Sequence, residues 1–275
     1  MVKLYHIFCL VVLCYMKGKK TKPYRYERNG LMENYISIRN INKSFGKKQV
    51  LFNVSLDVPK GCIFGLLGPS GCGKTTTVRI MAGILGSDSG ETYILDEKMP
   101  NLKLMSKIGY MAQADALYGM LSGYENLQFF GEVYGMQRKE LKARIDYVMG
   151  LVNLTEDLHK PVNAYSGGMK RRLSLAIALL PNPKVLILDE PTVGIDPLLR
   201  QDVWEELYGL ADKGVSLIVT THVMDEAIKC QRISMMRDGR LLATGTPKEI
   251  LAKTGTTDLE EAFIKMGREG ITYEN

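Results

Sequence analysis

The sequence is short of several features that mark other classes of protein. It has no internal repeat and no low-complexity stretch, which excludes repeat architectures. Beyond residue 31 no apolar run approaches the roughly 20 residues that a bilayer-spanning helix needs. Its five cysteines, Cys9, Cys14, Cys62, Cys72 and Cys230, have neither the paired spacing of a zinc site nor that of a disulfide framework. Their scatter suits a reducing compartment. The body of the chain also lacks a charge excess. Of 36 basic and 30 acidic residues, seven and one fall within residues 1–30, so the remainder carries 29 of each. The net charge of +6 belongs to the N-terminal stretch, and nothing marks the body as a reader of nucleic acid.

That N-terminal stretch is a separate case. Leu4 to Met16 is largely apolar, but its 13 residues are too few to span a bilayer, and a Lys-rich segment follows. Lys3 ahead of an apolar run imitates a signal peptide, yet no small-residue cleavage site comes after it. Met32 stands just before the first strand-like alternation, Tyr35-Ile36-Ser37-Ile38. Residues 1–31 are therefore expected to be a basic extension, either disordered or a start-site over-extension. A membrane-surface anchor is the alternative.

What is present is a core-forming chain, 45% hydrophobic and 24% charged over 275 residues. β-rich runs are expected at 35–41, 51–58 and the buried 62–67, then near 91–95 and 107–112. A helix carrying Val78, Ile80, Met81 and Ile84 follows a Gly-rich loop. From about 114 to 165 the pattern changes: Leu141, Ile145, Val148, Met149 and Val152 recur near a 3.6-residue period, as in an inserted helical subdomain. A helix over 167–180, an apolar run at 185–188 and a helix opening at Asp196-Pro197 come next. A β-branched strand at 215–220, a helix after His222, and strands at 232–237 and 240–243 around Asp238-Gly239 complete the body. Alternation of this kind around a Gly-rich loop predicts an α/β fold with a mostly parallel sheet.

Two segments carry chemistry. Gly68-Pro69-Ser70-Gly71-Cys72-Gly73-Lys74-Thr75, with Thr76 next, fits the phosphate-loop pattern G-x-x-x-x-G-K-S/T. Its glycines let successive N–H groups face one anion at a helix N-terminus. Lys74 is expected at the β/γ-phosphates and the Thr75 hydroxyl on Mg²⁺. The second segment, Val185-Leu186-Ile187-Leu188-Asp189-Glu190, is an apolar strand ending in two carboxylates. Alone it reads equally as a buried strand with an acidic turn. Beside a phosphate loop, Asp189 suits the Mg²⁺ shell and Glu190 suits the polarising of a water.

With these motifs in place the chain resembles an ABC-type ATPase over about residues 34–245. Tyr165-Ser166-Gly167-Gly168-Met169 is similar to the family's signature, Gln113 lies where its glutamine loop falls, and His222 follows a strand as its switch histidine does. Asp196 occupies the D-loop position, and Phe45 before Gly46 resembles the adenine-stacking aromatic. Taken singly, Ser166 would be a helix cap, Phe45 a core residue, Gln113 a loop residue and His222 a structural histidine; Cys72 has no family role.

The resemblance implies a phosphate-loop NTPase core with an N-terminal antiparallel β subdomain, the helical subdomain at about 114–165 and a C-terminal helical tail at 246–275. It implies ATP as ligand with Mg²⁺ on Thr75, Gln113 and Asp189. Glu190, His222 and Gln113 would be catalytic, and Ser166, Gly167 and Gly168 would act in trans on a second ATP-binding subunit, identical or not. A separate transmembrane permease would be the partner, and the chain would sit peripherally on the cytoplasmic face of the membrane. The Tyr and Met at the ends of the signature, followed by Lys170-Arg171-Arg172-Leu173, resemble the drug- and lipid-export branch. An importer ATPase and, less so, a non-transport ATPase of the family are the rival readings.

Overall fold

The computed structural model describes residues 33–114 and 116–269; the expectation for residues 1–31 lies outside the described residues. These fall into two compact units: one of residues up to Pro100 together with those from Lys213 onward, the other of Asn101–Asp212.

The first unit opens with an antiparallel sheet. β1 (Asn34–Phe45) and β2 (Lys48–Pro59) form a hairpin whose turn uses Gly46 at φ +59°. β1 also pairs with β4 (Ser89–Ile94), and β4 with the short β5 (Glu97–Lys98). One face is apolar by alternation, with Ile36, Ile38, Leu56 and Val58 buried, so the register is fixed by what must leave water. Between β2 and β4 lie β3 (Ile63–Leu67), buried along its whole length, and α1 (Lys74–Met81). The apolar pattern that carried the expected helix on to Ile84 outlasts the helix itself. Gly83, at φ +72°, turns the chain away first, and a side chain there would meet Met99 and Pro100.

The second unit is an insertion in sequence. β6 (Ile108–Met111) and β7 (Val185–Asp189) pair in parallel. Between them in sequence lie α2 (Gly123–Val133), α3 (Arg138–Leu151) and α4 (Gly167–Leu179), and α5 (Pro197–Asp212) follows. α2 begins with a capping box in which Ser122 and Glu125 satisfy each other's backbone N–H groups. Asp196 caps α5 by accepting the Leu199 N–H at 3.0 Å, as the Asp-Pro pair predicts.

The chain then returns to the first unit with β8 (Ser216–Thr221), a helix of four residues, α6 (Met224–Ala227), and β9 (Arg232–Arg237). β3 pairs in parallel with both β8 and β9. β10 (Arg240–Gly245) runs back along β9 through Asp238-Gly239, both at positive φ, as a two-residue turn requires. α7 (Pro247–Thr254) and α8 (Leu259–Glu269) end the described chain. Among the described residues no helix is long and apolar enough to cross a membrane.

Candidate functional site

In the first unit β3 delivers the chain to Gly68. A Cβ there would lie 2.2 Å from the Met236 carbonyl oxygen, so only glycine fits without moving backbone. Gly71 and Gly73 take φ +80° and +112°, curling the loop into the start of α1. Gly73 is the cap residue of α1 and supplies no side-chain cap, leaving the first N–H groups for an anion. Cys72 is packed inside the loop: its N–H donates to Pro69 O, its carbonyl accepts from Gly239 N–H at 3.0 Å, and burial pushes its thiol pKa up. Lys74 is only 5% exposed, and its ammonium donates to the carbonyls of Gly68 (2.7 Å) and Pro69 (3.0 Å). The cation is thus held at the loop's entrance by the loop's own backbone. Thr75 and Thr76 are half-buried in the first turn of α1, and Pro69 and Ser70 are exposed.

Two further residues of this unit, Phe45 and His222, are those expected at the adenine and the γ-phosphate. Phe45, at the end of β1, is 51% exposed and so is no core residue. The Lys43 ammonium lies 5.6 Å from its ring centroid and pairs with Asp88 at 2.9 Å. Asp88 also accepts the Ser44 N–H at 2.6 Å, and these two donors hold its pKa below the ordinary carboxylate value. His222 is exposed just beyond β8, in a turn fixed by Thr221, whose hydroxyl donates to Glu226 (2.7 Å) and accepts from the Val223 N–H (3.0 Å).

In the second unit the strand β7 ends at Asp189, fully buried, and Glu190 follows it, 7% exposed. Glu190 takes φ +53°, a left-handed conformation that costs a non-glycine residue about 1–3 kcal/mol and recurs at functional sites. Gln113 donates its amide N–H to the Glu190 carboxylate at 3.0 Å, so these two expected catalytic residues meet directly. Ser166 caps α4 by accepting the Met169 N–H at 3.2 Å. Gly167 has nothing within 4 Å of where a Cβ would sit, and Gly168 only Gly194 O at 3.6 Å and Ser166 Oγ at 4.0 Å. Tyr165 is buried and donates to Asp157 O at 2.6 Å, tying the signature to the preceding turn.

In the sequence Arg171 stands out only as part of the basic run Lys170-Arg171-Arg172. The signal was helical phase: Arg171 shares a buried stripe of α4 with Leu175, Ala178 and Leu179, an unusual place for an arginine.

The family model for ABC transporters matches residues 51–193. YbhF of Escherichia coli K12, a probable multidrug ABC transporter ATP-binding protein, is 38% identical over 241 residues. The match covers 85% of this chain and 42% of YbhF, so the chain spans less than half of that relative's length. LnrL of Bacillus subtilis strain 168, a linearmycin resistance ATP-binding protein, is 39% identical over 242 residues, covering 83% of this chain and 77% of LnrL. Among solved structures, the dimeric MJ0796, a bacterial ABC transporter cassette, matches with TM-score 0.72 at 27% identity, over 77% of this chain and 98% of that one. The chain belongs to the ABC transporter family, among its ATP-binding proteins. The expected fold, an antiparallel N-terminal sheet with mostly parallel strands and helices, is the fold of these cassettes.

Proposed function

We propose that this chain binds Mg·ATP and hydrolyses it to drive a separate membrane permease, working as one of a pair of ATP-binding subunits on the cytoplasmic face of the membrane. The observation that carries the proposal is Glu190: a buried carboxylate held in a strained backbone conformation, with Gln113 hydrogen-bonded to it. Strain of that size persists only where the surroundings enforce it. Glu190 is placed to take the proton of an attacking water.

The phosphates are bound by the N–H groups of residues 68–76 and by Lys74, and Phe45 stacks on adenine. Thr75, Asp189 and the amide oxygen of Gln113 are hard oxygen donors, the kind that Mg²⁺ takes alongside substrate phosphates. Bound there, the ion would neutralise charge on the β- and γ-phosphates. Ser166, Gly167 and Gly168 close over the partner subunit's γ-phosphate, Asp196 lies in the D-loop, and His222 contacts the γ-phosphate. Export of a drug, lipid or other hydrophobic compound is the direction favoured by the relatives: YbhF is named for multidrug transport and LnrL for linearmycin resistance. The dimeric cassette supports pairing. Within the chain, 34–245 is the ATP-binding domain and 114–165 its helical subdomain.

The test is Glu190→Gln. The amide keeps the shape but cannot accept the proton, so ATP binding should persist while turnover stops and an ATP-dependent dimer accumulates in sedimentation with Mg·ATP. Normal hydrolysis by this variant would overturn the assignment.

A further inference from the structure

Arg171 is 5% exposed, and all five of its N–H groups are matched by backbone carbonyls. Nη1 donates to Ala112 O at 2.8 Å and Gln113 O at 3.0 Å. Nη2 donates to Asp189 O at 2.5 Å and to Glu190 O, and Nε to Pro191 O at 3.3 Å. These carbonyls belong to two strand ends: the exit of β6, which carries Gln113, and the exit of β7, which carries Asp189 and Glu190. Side chains rarely gather carbonyls from three consecutive residues, because in a regular strand successive carbonyls point to opposite edges. Here the left-handed turn at Glu190 swings them together, and a rigid planar cation collects them. The guanidinium therefore stabilises the very backbone conformation that Glu190 would otherwise resist.

The arginine's own helix matters as much as its targets. α4 begins at the Ser166 cap, and Arg171 stands five residues further on, about 7.5 Å along a rigid helix. We infer that Arg171 is a positioning residue: it locks Glu190 and Gln113 to the helix that carries the signature. The inference rests on the roles of Glu190 and Ser166 proposed above. On that footing one rigid body bears both the group that this chain presents to its partner's nucleotide and the clamp that sets its own base. Movement of the signature on the partner's ATP is then felt at this chain's Glu190 without passing through solvent or loops.

The test is Arg171→Lys in the full chain. Lysine keeps the charge but offers at most three donors, so the five carbonyls cannot all be held. Single-turnover hydrolysis should fall on the order of 10²-fold, the cost of displacing a catalytic group by about an ångström. Binding of a fluorescent ATP analogue should be unchanged, and Arg171→Lys combined with Glu190→Gln should still form the ATP-dependent dimer. A stability control is Ile145→Ala, a buried truncation in α3: at the same loss of Tm it should keep normal turnover. Should Arg171→Lys fail to fold, Arg171→Gln carries the same prediction. Turnover equal to the wild type, or a loss no larger than that of Ile145→Ala, overturns the inference. So does a parallel loss of ATP binding, which would make Arg171 a general structural residue. A Glu190→Gln chain that still turns over is a different failure: it removes the base on which the inference stands, whatever Arg171 does.

Discussion

Two helix starts in this molecule are led by glycine, and they use it for opposite reasons. At the start of α1, Gly68 and Gly73 answer to crowding and Gly71 to a φ of +80°. Gly68 lies against the Met236 carbonyl, and Gly73 combines φ +112° with Leu51 at 2.7 Å from any Cβ. Every one of those constraints comes from the surrounding unit. At the start of α4 nothing nearby asks for glycine: Gly167 faces open space, Gly168 has ordinary clearance, and neither has a positive φ. Helix propensity alone favours alanine, by up to about 1 kcal/mol in a helix interior and by less in this first turn. The first pair of glycines is explained inside the chain; the second needs something that comes from outside it. A second nucleotide, brought by another subunit, is what the proposed function supplies.

This contrast can be broken at several levels of effect. Ser166→Arg should leave ATP binding by the monomer intact and cut hydrolysis by roughly 10²–10³-fold, the scale of losing an oxyanion-type donor. Normal hydrolysis in an ATPase assay would end the view that the start of α4 faces a partner's nucleotide. Lys74→Ala should act at the other helix start and in the other measurement. Nucleotide affinity should fall roughly 10- to 100-fold, as expected for losing a charge-assisted hydrogen bond of about 1.5–3 kcal/mol. Titration with a fluorescent ATP analogue reads this directly, and unchanged affinity would mean that the loop does not hold the phosphates.

A smaller effect separates the glycines themselves. Gly68→Ala should destabilise the fold by about 1–3 kcal/mol, because its Cβ must displace backbone. Gly167→Ala should stay within about 0.5 kcal/mol of wild type, or gain slightly. Urea denaturation of both variants gives the comparison; equal losses would erase it. The mildest test lies at Asp88, where the tether on the Phe45 hairpin works by exposed charge instead of crowding. Its folded pKa is depressed by Lys43 and the Ser44 N–H. The stability it lends is therefore present above the unfolded value, about 3.9, and is lost as pH falls through the folded one. A small Tm gap between wild type and Asp88→Asn should hold from neutral pH down to about pH 5 and close below about 3.9. A gap that persists in acid would mean that the carboxylate's charge is not what holds the hairpin.

Local features were the most legible in the sequence. The Asp238-Gly239 turn and the Asp196-Pro197 helix start are dictated by backbone conformations that adjacent residues fix. The phosphate loop was legible as a contiguous motif, although the crowding at Gly68 and Gly73 comes from residues remote in sequence. The helix expected after His222 was legible in kind but not in length. α6 has only four residues before the chain reaches β9, which lies parallel to β3. The exposure of Phe45 agrees with the adenine-stacking expectation, which came from the resemblance. Taken alone, an apolar residue at a strand end reads as core until the turn beyond it is seen. Arg171 was the largest omission. Its partners lie 18 to 59 residues away and are backbone carbonyls, which carry no residue-type signal at all.

The placing of β3 has a consequence for how the protein is made. Both of its neighbours, β8 and β9, come from late in the chain: Gly61 and Ser216, bonded at its entrance, are 155 residues apart. At about 5–20 residues per second, a ribosome leaves this apolar strand without a partner for roughly 8 to 30 seconds. An unpaired, wholly hydrophobic strand is a template for pairing with other chains. The brace on the phosphate loop, from Gly239 N–H to Cys72 O, arrives later still. In each new molecule the phosphate loop is thus among the last features to take shape, and a nascent chain stalled before β8 exposes the strand that leads into it.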